Sequence, residues 1–408
     1  MAQPRHAVVI GGGIGGLTAA VALHRRGLRV TVLERARSLE PVGAAISLAP
    51  NSLRALDVIG LGDEIRDLAA WSGDGGLRTP SGRWLSRSSA EAAAERFGGP
   101  LVLLPRATLI ERLAALLPAD AVRTDAAAVL ADSGGAGRAA RVTTADGELE
   151  ADLVVGADGV RSAVRRALFP AHPGPVYSGF TTWRVVIRVP GARFASHETW
   201  GRGRLWGTHP LKDGRVYAYG AALTPAGGRA PDDEKSELLR RFGDWHDPIP
   251  AVLAAARPED VLRHDVHHIA EPLPAYHHGR AALLGDAAHA MPPSLGQGGN
   301  QAIEDAVVLA HHCDDLDAYT AARLPRTTAI ARQAVRAARL GLMSSRAGIA
   351  VRDTAVAALS KAGPVLFLRG FDGIADWAPP QRPYASGQTP AGNRWRRSPR
   401  EGRLHRTW

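Results

Sequence analysis

Five of six consecutive positions are glycine, Gly11-Gly12-Gly13-Ile14-Gly15-Gly16, between an apolar run from His6 to Ile10 and a stretch, Leu17 to Arg25, with apolar residues at helical spacing. Strand, turn and helix follow in that order. A second apolar run, Leu28 to Leu33, comes after Gly27 and completes a βαβ unit, which implies a parallel pair joined by a right-handed crossover. The glycines satisfy G-x-G-x-x-G in the context that gives the pattern meaning. Gly11 permits the tight turn, Gly13 lets the backbone approach a pyrophosphate, and Gly16 lets the helix lie close to the sheet. Ile14 and Gly15 open the helix whose N-terminus attracts the anion. Glu34 ends the second strand, 18 residues after Gly16, where a carboxylate accepts hydrogen bonds from a ribose diol. This unit binds the ADP half of a dinucleotide and does not separate NAD from FAD.

A second stretch, Leu283 to Asp305, makes that separation. An apolar strand ends in Gly285-Asp286, a proline-containing loop follows, and a glycine-rich helix start comes after it. An acid at a strand end suits the polyhydroxyl ribityl chain of a flavin, the place expected for Asp286. The peptide N–H groups of Gly296, Gln297, Gly298, Gly299 and Asn300, backed by a helix dipole, would face the flavin pyrimidine and stabilise the charge of the reduced ring. The cofactor is therefore read as FAD.

Between these stretches the chain returns to its first sheet and leaves it again. Strands expected near 121–130, 139–144 and 148–155 lead to a second glycine turn, Gly156-Ala157-Asp158-Gly159. From about Val176 the pattern becomes strand-like, with Trp and Tyr alternating, and a helix over 232–242 interrupts it. The expected class is α/β. A Rossmann-like FAD-binding domain in two parts, residues 1–175 and 276–315, holds an inserted, largely antiparallel substrate-binding domain, 176–275. A helical region, 316–378, and a basic, poorly ordered tail, 379–408, follow.

Taken together, the Gly11 to Gly16 fingerprint, the Asp-Gly motif Gly156-Ala157-Asp158-Gly159-Val160-Arg161-Ser162, and Gly285-Asp286 with His289 and Pro292 resemble the class A flavoprotein monooxygenases. This is the family of para-hydroxybenzoate hydroxylase and salicylate hydroxylase, and the resemblance spans roughly residues 6–350. It implies that Asp158 and Gly159 serve both FAD placement and NAD(P)H use, that Asp286 binds ribityl, that Arg106 contacts the flavin side, and that Arg35 lies near the adenosine. The implied chemistry is a cycle in which NADH or NADPH reduces FAD and O2 adds at the flavin C4a carbon. The resulting hydroperoxide hydroxylates an aromatic or polyketide-like small molecule, and the other oxygen leaves as water. Epoxidation, or a flavin-dependent reductase or dehydrogenase on the same scaffold, are the alternatives. The absence of a second G-x-G-x-x-G agrees with a nicotinamide that binds transiently.

The substrate pocket is expected where the antiparallel domain faces the flavin, which makes Trp183, Arg184, Trp206, Tyr217 and Tyr219 its candidates by strand position. Arg184 could hold a substrate anion. His264, His267, His268, His277 and His278 lack a carboxylate or cysteine set at ligand spacing, so no metal is expected. His289 is expected to shape the Gly-Asp turn.

Composition limits the remaining classes. The formal charge is +10, but six arginines between Arg394 and Arg406 against Glu401 supply half of it, so the body is only mildly basic and nucleic-acid binding is not expected. No apolar run is long enough to span a bilayer, and the single cysteine, Cys313, excludes an internal disulfide framework; a cytoplasmic protein is expected.

Overall fold

Apolar runs punctuated by glycine turns fold as alternating strands and helices in the first third of the computed structural model, which describes residues 5–39, 45–69, 74–191, 194–361 and 372–382. The chain begins with β1 (His6–Ile10), α1 (Ile14–Arg25), β2 (Arg29–Leu33), β3 (Ala45–Leu48), α2 (Pro50–Val58) and α3 (Gly62–Arg66). It continues through β4 (Asp74–Arg78), β5 (Trp84–Ser89), α4 (Ala90–Phe97), β6 (Val102–Pro105), α5 (Arg106–Ala114), β7 (Val122–Arg123), β8 (Ala128–Asp132), β9 (Ala140–Thr144), β10 (Gly147–Ala151), β11 (Leu153–Gly156) and α6 (Ala163–Leu168). The middle of the chain supplies β12 (Pro175–Arg188), β13 (His197–Trp200), β14 (Arg204–Pro210), β15 (Arg215–Leu223), α7 (Glu234–Phe242), α8 (Ile249–Ala255) and β16 (Leu262–Ile269). Then come β17 (His277–His278), β18 (Ala281–Leu283), α9 (Asp286–His289), α10 (Gly298–His311), α11 (Leu316–Gly341) and α12 (Arg346–Lys361).

A six-stranded sheet takes the order β17-β18-β11-β1-β2-β7. β1 runs parallel to β11 and β2, and β11 parallel to β18. The register aligns Ile10 with Leu33 on one side and Gly156 on the other, and Gly156 with Leu283. All three glycine turns read from the sequence therefore leave the sheet at one level of its carboxyl edge, where α/β sheets place ligands. Buried apolar residues of β1, β11, β18, α1 and α10 form the largest core beneath that edge.

A seven-stranded sheet takes the order β16-β12-β15-β14-β13-β4-β5. Its β12, β15, β14 and β13 are antiparallel neighbours, as the alternating Trp and Tyr pattern suggests. The β4–β5 hairpin, which lies before residue 176, joins this sheet through β4 and β13, a partnership no local pattern announces. One face packs on α7 and α8 through Trp183, Trp206, Leu238 and Phe242. On the other, Phe180, Leu205 and Ala221 meet Ala338 and Leu342 from the end of α11.

The predicted strand over 121–130 is divided in two, β7 in the large sheet and β8 in a three-stranded sheet with β9 and β10, because Asp125 takes a positive φ of 52° and turns the chain. The helix predicted from Asp232 starts at Glu234 because the Asp233 side chain caps it by accepting from the Ser236 N–H. Residues 383–408, which hold the basic stretch, lie outside the described residues. Among the described residues no helix is long and apolar enough to cross a membrane.

Candidate active site

The fingerprint turn is built by close backbone contact. Gly11 has φ 113°, and a Cβ there would stand 2.4 Å from the Ala157 carbonyl oxygen; a Cβ at Gly16 would stand 2.0 Å from the Gly11 carbonyl oxygen. The first two motifs are thus pressed against each other, and only glycine fits the contact. Gly13 differs: an added Cβ would meet nothing within 4 Å, so the open side of the turn lies there, at the N-terminus of α1. Gly15 instead clears Leu284 and Ala302, allowing α1 to pack on α10, and Ile14 turns its side chain into the core. Glu34 braces the turn, accepting from the Gly12 N–H at 2.7 Å and the Ala36 N–H at 2.8 Å. Each carboxylate oxygen retains acceptor capacity for a diol. Arg35 is exposed beside it.

Asp158 serves its own turn. One oxygen accepts from the Ser162 hydroxyl and the other from the N–H groups of Ala163 and Val164, so the carboxylate caps α6. Gly159, at φ 79°, completes the bend.

The 285–300 segment mixes exposed and buried groups. Asp286 is exposed between buried Gly285 and Ala287, with its Oδ1 3.8 Å from where a Cβ on Gly298 would lie. Asn300 is fully buried and ties the loop to neighbouring elements: its Oδ1 accepts from the Ala49 N–H and Ser52 hydroxyl, and its Nδ2 donates to the carbonyls of Ser47 and Gly296. The Gln297 amide oxygen accepts from Asn51 and Gln301. Gly296 adopts φ 65°, and a Cβ at Gly299 would come 2.6 Å from Ile46. These five residues therefore offer a ligand their backbone, at the start of a 14-residue helix whose first N–H groups have no partner within the helix. The side chains of Gln297 and Asn300 hold that backbone in place.

Arg106, the first residue of α5, has a buried Nε without a hydrogen-bond partner. Burial lowers its pKa, Arg184 adds to the effect, and Asp286 opposes it, so these three charges share one neighbourhood. Arg184 has neither a hydrogen bond nor an ion pair among the described residues. An unpaired guanidinium that burial makes costly, next to an exposed carboxylate and a glycine turn open on one side, is a donor set suited to a phosphate-bearing, polyhydroxylated flavin cofactor. The residues present fit FAD.

Strand alternation divides the five pocket candidates. Arg184 pairs with Tyr219 in register, and Tyr217 shares their face, whereas Trp183 pairs with Gly220 on the reverse side together with Trp206. Trp183 and Trp206 are buried under α7; their indole N–H groups donate to Glu234 and Thr208. That placement corrects the expectation that both line the pocket: the period of two sends them to the helix-covered face. Tyr217 packs with Leu103 and Leu211, and burial raises its pKa while Arg184 and Arg106 draw it down.

Sequence reasoning missed His209 and Glu198, and grouped His264 with unrelated histidines. His209 stacks against both Tyr217 and Tyr219, at centroid distances of 6.2 and 5.6 Å, the three rings forming a cluster, and burial pushes its pKa down to about 3. His264 pairs with Thr182 on the Arg184 face, and its pKa is lowered by burial, then by Arg184 and Arg106. His267 and His268 turn instead to Tyr177 and Ser178, and His277 and His278 to Thr320 and Ser133. Glu198, His209 and Tyr219 each keep partial accessibility although burial dominates their titration.

Behind the loop lies a charge-paired polar hub that no motif announced. Asp305 accepts from His289 Nε2, the Gly285 N–H and Arg323 Nε; Glu304 accepts from Arg323, Arg326, Asn51 and Gln301. Burial alone would raise the Asp305 pKa, but His289 and Arg323 outweigh it and hold the carboxyl well below its usual range. His289 is thus a brace of the Gly-Asp turn, as expected.

The model of the FAD binding domain family matches residues 5–334. An aurachin C monooxygenase/isomerase of Stigmatella aurantiaca is 39% identical over 326 residues, 79% of this chain and 84% of that protein. A FAD-dependent urate hydroxylase of Klebsiella oxytoca is 34% identical over 314 residues, 74% and 80% of the two chains. Among solved structures, Klebsiella pneumoniae HpxO complexed with FAD and uric acid superposes with a TM-score of 0.80 at 27% identity, covering 91% of this chain and 96% of that one. The chain belongs to the FAD binding domain family and is an FAD-dependent oxidoreductase of the monooxygenase kind.

Proposed function

We propose that this protein uses NAD(P)H and O2 to hydroxylate a flat aromatic molecule with an anionic or acceptor-bearing edge, held between the seven-stranded sheet and the 285–300 loop. One observation carries the reading. Arg184 stands unpaired on a sheet face that also presents the stacked Tyr217, His209 and Tyr219, and Arg106 lies close by on α5. A planar ring can lie against such an aromatic wall while a guanidinium takes its anionic edge. Urate, named for one relative, is a planar heteroaromatic anion and would fit this description.

In this reading Gly13 admits the pyrophosphate at the turn that Gly11 allows, Glu34 accepts from the ribose of the adenosine, and Asp286 accepts from the ribityl hydroxyls. The N–H groups at the first turn of α10 would hold the flavin ring and favour negative charge on it. Arg106 supplies a positive charge on the flavin side, and Arg184 orients the substrate. The wall of Tyr217, His209 and Tyr219 excludes water from the reacting ring. Bound FAD supplies the redox and oxygen-transfer chemistry itself. The lone, buried Cys313 suits a reducing cytoplasm, where NAD(P)H is at hand.

The test starts from the absorbance of the purified protein and its anaerobic reduction by NADH or NADPH with hydroxybenzoates, hydroxyquinolines and purines present in turn. A yellow protein whose reduction one compound accelerates, with label from ¹⁸O2 in the product, is the expected result. Product without label would replace hydroxylation by a reductase or dehydrogenase reaction. Asp286→Ala is expected to lose FAD during purification while keeping its fold; full retention of FAD removes the ribityl assignment.

A further inference from the structure

The wall of the proposed pocket contains a carboxyl group that the reading above leaves without a task. Glu198 on β13 stands in register with Gly207 on β14, which in turn faces Tyr219 on β15. The Tyr219 hydroxyl donates to Glu198 Oε1 at 2.8 Å, and the Trp200 indole N–H donates to Oε2. Among the described residues no cation pairs with Glu198. Burial raises its pKa, and burial followed by the neighbouring Glu198 raises that of Tyr219 well above the usual phenol value. Enclosing a carboxyl without a cation is unfavourable, and two neutral donors are a partial remedy.

Gly207 makes the arrangement possible. A Cβ at this position would stand 2.3 Å from Tyr219 Cζ and 2.7 Å from its hydroxyl oxygen, so the ring lies flat across the glycine and reaches Glu198 over it. His209, stacked at 18° to the same ring, fixes its plane from the side.

A tyrosine hydroxyl has one proton and two lone pairs. Here the proton is committed to Glu198 and the residue remains partly accessible, so toward a ligand the hydroxyl oxygen can only accept. We infer that Glu198 fixes the Tyr219 hydroxyl as a hydrogen-bond acceptor and thereby selects aromatic substrates that carry a ring O–H or N–H. Tyr219 is the contact and Glu198 the positioning residue; the inference rests on the pocket assigned under the proposed function. Combined with Arg184, it defines a ring with an acceptor or anionic edge on one side and a donor on another. A hydroxylated aromatic acid or an oxidised purine meets that description.

The geometry allows a sharp test, because the Trp200 indole can donate and cannot accept. In Glu198→Gln the amide oxygen must therefore face Trp200, which leaves the amide NH2 facing Tyr219. The Tyr219 oxygen then accepts from Gln and its proton turns to the cavity, which reverses its polarity toward a ligand. Holoenzyme is titrated with matched pairs differing only in the donor: 3-hydroxybenzoate against 3-methoxybenzoate, 4-hydroxyquinoline against 4-methoxyquinoline, and urate against its N-methylated forms. Binding is read from the perturbation of the flavin spectrum.

Wild type is expected to prefer the donor member of a pair by about tenfold or more, the scale of one buried hydrogen bond. Glu198→Gln should invert that order, and Tyr219→Phe, which keeps the stacked ring, should abolish it; FAD content reports on folding in each. A merely structural Glu198 would weaken both members alike, and an unchanged preference in Glu198→Gln overturns the inference while leaving the hydroxylase reading intact. Binding of no compound in any pair to the wild type defeats the aromatic pocket, and the inference with it.

Discussion

Two buried polar regions of this molecule are constructed in opposite ways. Around Asp305, every strong charge has a counterpart: Arg323 meets Asp305 and Glu304, and Arg326 meets Glu304 again. On the Arg184 face of the seven-stranded sheet and on α5 beside it, Arg184 and Arg106 form no ion pair among the described residues, and the carboxyl Glu198 has no cation there. Both regions border the 285–300 loop or face it. The difference teaches where to look for a ligand: charges that already have counterparts leave none to offer, whereas unpaired charges on a half-buried face imply a missing partner.

The strongest way to break this contrast is to remove one cation from each region. Arg323→Met takes a buried cation away from both Asp305 and Glu304 and should cost about 3–5 kcal/mol of stability in urea denaturation. Arg184→Met should change stability by no more than about 0.5 kcal/mol. It should instead weaken binding of an anionic ring about 10–100-fold, as loss of a charge-assisted hydrogen bond does. Equal destabilisation by the two would erase the distinction.

Gly207→Ala probes the sheet face alone. The new methyl must displace the Tyr219 ring, at a cost of about 1–3 kcal/mol, and should disorder ligand binding without loss of FAD. A thermal melt together with flavin content checks both halves of that statement.

The smallest expected effect is one of pH. Burial pushes His209 down to about 3 and His197 to about 4, so both remain neutral in the fold while the unfolded chain protonates near 6.5. Their contribution is fully present above about pH 6.5 and declines toward pH 4, by roughly 1 kcal/mol per histidine at pH 5.5. Asp305 has the opposite character: its folded pKa is depressed, so its stabilisation persists down to about pH 4 and is lost only as pH falls further. Hydrogen exchange at pH 7 and 5.5 should therefore show the seven-stranded sheet loosening while the hub beneath the loop holds.

The parts legible in the sequence were those in which the chain contacts itself locally or repeats a known turn. The Gly11 to Gly16 turn, Glu34 and Asp286 carried their context with them. Trp183 and Trp206 did not, because alternation states that neighbours face opposite ways but not which face is covered by α7. Asp158 was read as a cofactor residue from its motif, yet its carboxylate is occupied by three donors from residues 162–164. Glu198, His209 and Gly207 were silent because their meaning arises from register across β13, β14 and β15, and the Asp305 hub because its members converge from four helices and a loop.

The order of strands in the six-stranded sheet also sets a timetable for synthesis. β1 lies beside β11, and β11 beside β18, so the neighbours of the N-terminal βαβ unit are encoded about 120 and 250 residues downstream of Leu33. At ribosomal rates of about 5–20 residues per second, the apolar flank of β1 waits roughly 6–24 s for β11, and the sheet roughly 12–50 s for β18. The seven-stranded sheet is translated within that interval. A nascent chain of this protein therefore exposes a long-lived strand edge, and holdase chaperones or slower growth temperatures should act on its yield through that window.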